Sequence, residues 1–327
     1  MYKKNIDKLL EVTNLTVQLA TRRGIANVVK NVSFDLGWGK TLGIVGESGC
    51  GKTMTVRSII GLNPQPPTKI INGLIKFDNI NLMSLKENQF NSIRGKEISI
   101  IFQEPTSFLD PVFTVGSQVS EVLSSHIKNI SNKDIKYHVI ELFKKVGIPS
   151  PEKRFYNYPH QLSGGMAQRI LIACAIAITP KLLICDEPTT ALDVTIQKQV
   201  LNLLEDLKNE KGMSIIFVSH NLAVIFEICD EVVVMYAGEI VEKGAAADIF
   251  NKPKHPYTEA LLKSLPTLNK DIEKLEMIKG YLPDIFQEVK GCLFKNRCIY
   301  ADDDCLSEDI KYIQVGINHI VKCKRYE

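Results

Sequence analysis

The chain has 327 residues, 45% of them hydrophobic and 24% charged, which is ordinary for a globular protein and enough for a large core plus a smaller appendage. Its 40 basic and 37 acidic residues give a formal net charge of +3, which argues against a nucleic-acid partner because such binders carry a clustered excess of Lys and Arg. The longest apolar run, at 170–178, is shorter than the ~20 residues of a membrane-spanning helix, and the N-terminal residues carry no apolar run of signal-peptide length. We therefore expect a cytosolic protein whose thiols stay reduced.

Hydrophobic patterning predicts the elements in chain order. Alternating residues predict strands in the first forty residues, at LLEVTNLTVQLA and IANVVKNVSFDL. Short apolar runs, each bounded by helical patterns, then predict strands of a largely parallel sheet; they are TLGIVG, ISIIF, KLLICD and SIIFVSH. Residues 104–170 carry amphipathic helical patterns instead, which predicts an inserted helical subdomain. Strand signals stop after Lys243-Gly244, and from about residue 251 a Pro-punctuated linker and a short helix lead into a C-terminal segment.

Residues 46–53, GESGCGKT, match the phosphate-binding pattern G-x-x-x-x-G-K-[ST] directly after a predicted strand. Glycines let the backbone curl so that successive N–H groups face one anion, and the following helix adds the positive end of its dipole. Lys52 is expected to bind the β- and γ-phosphates, and the Thr53 hydroxyl to bind Mg²⁺. The predicted nucleotide-binding residues of this loop are Gly46, Ser48, Gly49, Cys50, Gly51, Lys52 and Thr53.

Two adjacent carboxylates, Asp186 and Glu187, follow the apolar strand at 182–185. Acidic side chains at the end of a buried strand are costly unless they serve an ion or a reaction. We expect Asp186 to hold Mg²⁺ and Glu187 to orient and polarise an attacking water. The alternative is a solvated acidic turn.

Leu162-Ser163-Gly164-Gly165-Met166 precedes an apolar helix. A serine and two glycines before a helix predict a second anion-binding N-terminus, separate from the phosphate loop. An ordinary helix cap by Ser163 is the alternative.

These motifs together resemble the nucleotide-binding subunits of ATP-binding cassette (ABC) transporters over residues 10–250. The motifs that carry the resemblance are the loop at 46–53, Gln103 after ISIIF, LSGGM at 162–166, LLICDEP at 182–188, Ala191-Leu192-Asp193, and His220 at the end of SIIFVSH. Within that superfamily, LSGGM, DEPTTALDVT and above all His255-Pro256-Tyr257-Thr258 resemble the ATPase subunits of dipeptide and oligopeptide importers, in the peptide and nickel group.

The resemblance implies an α/β fold, an ABC-type phosphate-loop NTPase core with an N-terminal antiparallel β subdomain, an inserted helical subdomain and a small cysteine-containing C-terminal extension. The expected domains are 1–250 for the nucleotide-binding domain, with its helical subdomain at about 104–170, and 251–327 for the extension.

The resemblance also implies an ATPase in which two cassettes close head to tail around two ATP molecules with Mg²⁺. Ser163 and Gly165 would contact ATP bound to the partner. Gln103 would sense the γ-phosphate and Mg²⁺, Asp193 would couple the two sites, and His220 would hold the γ-phosphate. The sequence departs from many cassettes at 20–24, where no aromatic residue is present to stack on adenine. Arg22 or Arg23 could stack there instead, or this segment is a solvated turn.

The expected function is the motor of an importer of dipeptides or oligopeptides, at the cytoplasmic face of the cell membrane. The implied partners are a second, non-identical ABC ATPase subunit, two membrane permease subunits and an extracytoplasmic substrate-binding protein. A nickel, metal-chelate or glutathione importer is the alternative within the same group. A non-transport cassette protein is disfavoured because the chain has one cassette and no basic face. A metal or redox sensor that uses ATP only as a switch is disfavoured because Glu187 and His220, the residues expected for hydrolysis, are both present.

Four cysteines, Cys292, Cys298, Cys305 and Cys323, gather near the C-terminus, whereas Cys50, Cys174, Cys185 and Cys229 are scattered and read as small buried side chains. A reducing compartment disfavours disulfides. Structural zinc commonly uses closer cysteine pairs, although His319 offers a Cys₃His set, and four thiolates are also the usual ligands of a [4Fe–4S] cluster. Basic neighbours (Lys295, Arg297, Lys322, Lys324 and Arg325) would favour thiolates, and Asp302, Asp303 and Asp304 would oppose them. The resemblance implies the cluster, with zinc and metal-free thiols left as alternatives.

Overall fold

The computed structural model describes residues 8–188, 194–264, 278–287, 289–306 and 310–327. The strands in these ranges are β1 Lys8–Thr21, β2 Gly24–Gly37, β3 Thr41–Val45, β4 Thr68–Phe77, β5 Ile80–Asn81, β6 Ile98–Ile101, β7 Leu182–Asp186, β8 Ser214–Val218, β9 Glu231–Tyr236, β10 Glu239–Ala245, β11 Ile313–Gly316 and β12 His319–Val321. The helices are α1 Lys52–Ile59, α2 Glu87–Asn91, α3 Pro105–Phe108, α4 Val115–His126, α5 Asn132–Lys145, α6 Pro151–Arg154, α7 Gly164–Ile176, α8 Val194–Lys211, α9 Leu222–Ile228, α10 Ala246–Asn251 and α11 Pro256–Lys263.

The chain divides into two compact units. The first comprises Met1–Gly37, Thr41–Ser84 and Phe217–Glu327, and the second comprises Trp38–Lys40 and Leu85–Ile216. Both units combine strands with helices, so the predicted α/β class is confirmed.

An antiparallel sheet in the order β2-β1-β4-β5 forms the N-terminal part of the first unit. In β1 the side chains of Leu10, Val12, Leu15 and Val17 are buried, as a strand with one apolar face requires. The register shifts between Val12 and Leu15, which keeps the apolar side chains on one face across an irregularity. This sheet confirms the predicted N-terminal antiparallel subdomain.

A second set of strands in the first unit follows the order β11-β12-β10-β9-β3. Strands β3 and β9 run parallel, whereas the pairs β9–β10, β10–β12 and β12–β11 are antiparallel. All five residues of β3 are buried, as expected for a strand covered on both faces. The interpretation that strands stop after Lys243-Gly244 was wrong, because β11 and β12 extend the edge of β10. These strands are four and three residues long, too short for a visible alternation, and the pairing with β10 stabilises them.

The second unit contains β6 and β7 as a parallel pair, with Ile98 opposite Leu182. Its chain from α3 to α7 is helical, and no described residue between Glu104 and Ile176 belongs to a strand. The side chains of Val119 on α4 and of Val139 and Phe143 on α5 are fully buried, so these amphipathic helices pack through their apolar faces. Thr114 and Ser131 cap the N-termini of the two helices by accepting backbone hydrogen bonds.

Within the described ranges, none of the helices combines the length and the apolar character that a membrane span requires.

Candidate nucleotide-binding site

The phosphate loop in the first unit joins the buried strand β3 to α1, which begins at Lys52. Gly46 has φ +151 and Gly51 has φ +103, both in the region that favours glycine. A Cβ atom at Gly46 would lie 2.2 Å from the Met235 carbonyl oxygen, and one at Gly51 would lie 2.6 Å from the Val28 carbonyl oxygen. These two positions therefore require glycine for space as well as for backbone conformation.

The ammonium of Lys52 is held inside the loop. Lys52 is 5% exposed, and its Nζ donates to the carbonyl oxygens of Gly46 and Glu47 at 2.7 and 3.0 Å. Cys50 is buried, and burial raises the pKa of its thiol. A cation inside a curled loop at a helix N-terminus suits a phosphate group.

Asp186 and Glu187 in the second unit have different surroundings. Asp186 ends β7 and is completely buried, whereas Glu187 is partly exposed and has φ +52, an uncommon backbone conformation for a residue with a side chain. The side-chain amide of Gln103, in the loop after β6, donates to the Glu187 carboxylate, with 2.9 Å between Nε2 and Oε2. The structure therefore brings together Gln103 and Glu187, which the sequence had singled out separately.

The LSGGM motif lies at the start of α7 in the second unit. The Ser163 hydroxyl caps this helix by accepting a hydrogen bond from the Met166 backbone N–H at 3.3 Å. Ser163 and Gly164 are exposed, and a Cβ atom at Gly164 would have no neighbour within 4 Å. Gly165 is the second residue of the helix. This thirteen-residue helix therefore has an open N-terminus that can meet an anion from outside the chain.

Two further predicted residues of the ATP site, His220 and Asp193, follow β8 and β7 in the chain. His220 is exposed, two residues after β8. Asp193 lies outside the described residues.

Arg23 is engaged with the C-terminal part of the first unit. Its Nη2 atom lies 2.6 Å from Asp284 Oδ2, and its guanidinium lies 4.6 Å from the centre of the Phe286 ring. A guanidinium that already stacks on a ring has one face fewer for a base, which weakens the interpretation that Arg23 replaces the adenine-stacking aromatic residue.

The four C-terminal cysteines are free thiols. The Cys292 backbone N–H donates to the Cys305 carbonyl oxygen at 2.9 Å. The pKa of Cys292 is raised to about 11, mainly by burial and to a smaller extent by Cys305, Cys323 and Cys298. The described residues nevertheless include no group of three or more His, Cys, Asp or Glu side chains arranged to hold a metal ion.

Burial outweighs the expected effect of the basic neighbours on the thiols. Burial is the largest influence on all four thiols and raises each pKa. Arg297, Lys322 and Lys324 form ion pairs with Glu47, Glu239 and Glu327, and Lys295 donates to a backbone carbonyl. Arg325 lowers the pKa of Cys298 and of Cys323, but less than burial raises it.

His319, the residue of the Cys₃His alternative, is buried on β12, and its Nε2 atom lies 2.7 Å from Glu242 Oε1. The same carboxylate accepts hydrogen bonds from the backbone N–H groups of Lys254 and His255. The Nε2 contact links β12 to β10 and leaves Nδ1 as the ring nitrogen that could bind a metal ion.

Sequence analysis did not identify Glu47 as a functional residue. Its carboxylate binds Arg297 and its backbone N–H binds Tyr257. The sequence offered Tyr257 only as part of the HPYT motif and Arg297 only as a neighbour of Cys298.

Two protein-family models match the chain. Residues 29–190 match the family described as ABC transporter, and residues 241–305 match the family described as oligopeptide/dipeptide transporter, C-terminal region.

Similar proteins match almost the whole chain. The dipeptide transport ATP-binding protein DppD of Lactococcus lactis subsp. cremoris is 45% identical over 97% of this chain and 90% of its own length. The oligopeptide transport ATP-binding protein OppD of Bacillus subtilis is 46% identical over 97% of this chain and 88% of its own length.

Solved structures show the same fold. The ATP-binding cassette MJ0796, solved as a dimer in a post-hydrolysis state with ADP and Pi, matches with a TM-score of 0.67 and 26% identity over 72% of this chain and 98% of its own. CbiO1 of Clostridium perfringens, part of an ABC transporter complex, matches with a TM-score of 0.62 and 27% identity over 75% of this chain and 92% of its own.

Proposed function

Since this chain belongs to the family of ATP-binding subunits of dipeptide and oligopeptide ABC transporters, we propose that it is the ATP-hydrolysing motor of a peptide importer. The observation that best supports ATP hydrolysis is the Gln103–Glu187 contact, which holds a partly exposed carboxylate next to the buried Asp186. A carboxylate fixed in this way can orient a water molecule for attack on a phosphoryl group.

In the proposed reaction the phosphate loop binds the triphosphate of ATP through Gly46, Ser48, Gly49, Cys50, Gly51 and Lys52. Thr53, Asp186 and Gln103 would hold Mg²⁺, which would neutralise charge that develops on the phosphates. Glu187 orients the attacking water, and His220 stabilises the γ-phosphate. Lys52 leaves the loop carbonyls to bind phosphate oxygens, an exchange of neutral acceptors for charged ones that favours the bound state.

We propose that two cassettes act together. The N-terminus of α7 supports this, because Ser163 is exposed there, and its hydroxyl and the backbone N–H of Gly165 in the first turn are donors that suit an anion. These donors would bind the γ-phosphate of ATP held by the partner cassette, and Asp193 would couple the two sites. The proposed partner is a second, non-identical ATPase subunit. A homodimer that restores full transport without a second ATPase subunit would contradict that part of the proposal.

The remaining proposed partners are two permease subunits and an extracytoplasmic substrate-binding protein, with this chain at the cytoplasmic face of the membrane. The relatives named for dipeptide and oligopeptide transport favour peptides as the substrate class.

Reconstitution tests this function directly. The chain, a partner ATPase, the permease pair and the binding protein are incorporated into lipid vesicles, and ATP hydrolysis and uptake of a radiolabelled dipeptide are measured together. Peptide should stimulate hydrolysis, and uptake should disappear in the matched assembly that carries Glu187→Gln. Stimulation by a nickel chelate or by glutathione, but not by peptides, would overturn the peptide assignment, and hydrolysis that no permease affects would overturn the motor.

We also propose that Cys292, Cys298, Cys305 and Cys323 hold a [4Fe–4S] cluster, with zinc as the alternative. The grouping of the four cysteines near the C-terminus and the backbone hydrogen bond from Cys292 to Cys305 support a shared site, and four thiolates are the usual ligands of such a cluster. The raised pKa values mean that these thiols bind metal only with release of protons. The cluster would supply structural cross-links to a segment with little core of its own.

A further inference from the structure

The C-terminal extension contacts the phosphate loop at one residue of that loop, Glu47. The two terminal nitrogens of Arg297 each lie 2.8 Å from a different oxygen of the Glu47 carboxylate. This bidentate geometry is the strongest and most directional form of ion pair between these groups. The two residues are 250 positions apart in the chain, so the contact is purely tertiary.

The Arg297 side chain is itself held in place by burial and by further hydrogen bonds. Its side chain is 5% exposed, and its Nε atom donates to the Lys279 carbonyl oxygen at 2.9 Å. Further hydrogen bonds of 3.3 Å lead to the Ile278 carbonyl oxygen and to the Tyr236 hydroxyl. A guanidinium held on several sides loses little additional freedom when it binds Glu47, and it can therefore hold that carboxylate in one place.

Tyr257 holds the backbone of the same loop residue. The Glu47 N–H donates to the Tyr257 hydroxyl at 2.8 Å, and the tyrosine is fully buried in the first turn of α11. Its ring packs against those of Tyr236 and Phe294, with centroids 4.7 and 5.3 Å apart. Glu47 is thus held at its carboxylate and at its backbone by two different parts of the extension.

Glu47 also contacts the lysine of the loop, because its carbonyl oxygen accepts one of the hydrogen bonds from Lys52 Nζ. A shift of Glu47 would therefore displace both the loop backbone and the acceptor that positions the ammonium. Bidentate and charge-assisted contacts to phosphate depend on geometry, so such a shift would weaken the binding of a phosphate group.

We infer that Arg297 and Tyr257 are positioning residues for ATP, which hold the phosphate loop in its binding shape from outside the ABC core. This inference rests on the proposed function, since it assigns these residues to the nucleotide site proposed above. It makes ATP affinity depend on the folded cysteine-bearing segment, in which Arg297 immediately precedes Cys298.

A double-mutant cycle on the full-length chain tests the inference. The equilibrium dissociation constant of a fluorescent ATP analogue is measured for the wild type, Arg297→Gln, Glu47→Gln and the double variant. Each single variant should weaken binding about tenfold, and the double variant should be no weaker than either, as expected for two groups that act through one contact. Tyr257→Phe, which keeps the ring and removes only the hydroxyl, should weaken binding by a smaller factor.

Arg325→Gln is the matched control. Arg325 lies in the same extension, stacks 4.0 Å from the Tyr300 ring centre and approaches Glu259 at 3.6 Å, but these contacts do not involve the loop. Its removal should leave ATP affinity within twofold of wild type. Arg297→Lys should restore part of the lost affinity, since an ammonium keeps the charge but not the bidentate geometry. The thermal unfolding midpoint without nucleotide, measured for every variant, separates a loop effect from partial unfolding.

The outcomes separate this inference from the proposed function. Absence of ATP binding by the wild type, or unchanged binding by Lys52→Ala, would overturn the ATPase proposal. If Lys52→Ala loses binding while Arg297→Gln stays within twofold of wild type, the ATPase proposal stands and the positioning role is wrong. Purely additive losses in the double variant would also overturn it, because independent structural damage does not produce coupling.

Discussion

The side-chain amide of Gln103 donates a hydrogen bond to the carboxylate of Glu187, with 2.9 Å between Nε2 and Oε2. Glu187 itself has φ +52, and such conformations persist where the surroundings fix them. The contact connects the loop after β6 to the end of β7, so a change at either position alters the orientation of the carboxylate that is proposed to act on water.

Glu187→Gln should keep ATP binding while it slows hydrolysis at least ~100-fold, which corresponds to about 2.7 kcal/mol of activation free energy. The amide has nearly the same size but cannot polarise a water molecule as a carboxylate does. Steady-state ATPase rates of the assembled transporter and ATP affinity of the isolated chain measure the two effects. ATP should also trap a closed dimer, visible as a larger species by size-exclusion chromatography. Lys52→Ala is the comparison, since it should weaken nucleotide binding itself; near-normal turnover by Glu187→Gln would remove that residue from its catalytic role.

Ser163→Arg should leave the ATP affinity of its own chain within about threefold of wild type and abolish hydrolysis at the partner's phosphate loop. The side chain is exposed at the start of α7, where an arginine would add bulk at a surface that is proposed to meet the other cassette. Mixed dimers that carry the substitution in one subunit, combined with Lys52→Ala in the same or the opposite subunit, show which site is lost. Equal loss of ATP binding by the isolated variant chain would contradict action across the dimer.

His255 should make the first unit sensitive to acid. Burial, followed by the charge of Lys322, lowers the pKa of His255 from its ordinary 6.5 to about 3, and the neutral Nδ1 atom accepts the Tyr257 backbone N–H at 3.1 Å. In the unfolded chain this histidine is protonated below pH 6.5, whereas in the folded chain it stays neutral down to about pH 3. Its contribution to the free energy of unfolding is therefore complete above pH 6.5 and is lost as the pH falls from 6.5 toward 3.

The free energy of unfolding should fall by up to about 1.4 kcal/mol for each pH unit below 6.5 on account of this histidine alone. His255→Asn keeps a hydrogen-bond acceptor at the helix cap and removes the titration, so its stability should depend less on pH between 6.5 and 4. Urea unfolding at several pH values measures the slope. His138→Asn, at an exposed position of α5, is the control and should follow the wild type. Parallel slopes for His255→Asn and wild type would show that the histidine does not titrate in this way.

Anaerobically purified protein should be brown and absorb broadly near ~400 nm if the four cysteines hold an iron–sulfur cluster. Cys298→Ser and Cys305→Ser should remove the colour and reduce the protease resistance of the extension, whereas Cys174→Ser, which changes a cysteine on α7, should keep both. Iron and zinc content by elemental analysis distinguishes the two metals. Colourless protein with about one zinc per chain after iron-replete expression would contradict the cluster and favour zinc.

Local patterns in the sequence were sufficient to identify the motifs of the proposed site. The phosphate loop, Asp186, Glu187 and the LSGGM helix are each contained in a short segment, so residue type and spacing identify them, and alternation predicted β1 and β2. The relation between Gln103 and Glu187 was not contained in any segment, because these residues are 84 positions apart. Strands β11 and β12 were missed for the same reason, since they gain their hydrogen bonds from β10 and carry little pattern of their own.

The tertiary structure alone decided how the extension meets the ATP site. The sequence places Arg297 beside a cysteine, and from that position it was expected to lower a thiol pKa. In the folded chain its guanidinium instead binds Glu47, and burial raises the pKa of the thiols. The sequence shows which charged residues are present. Which residue each of them pairs with, and how deeply it is buried, follows from packing between distant segments. The residues proposed to bind ATP are therefore recognisable from the sequence, whereas the contacts of Arg297 and Tyr257 with Glu47 follow only from the fold.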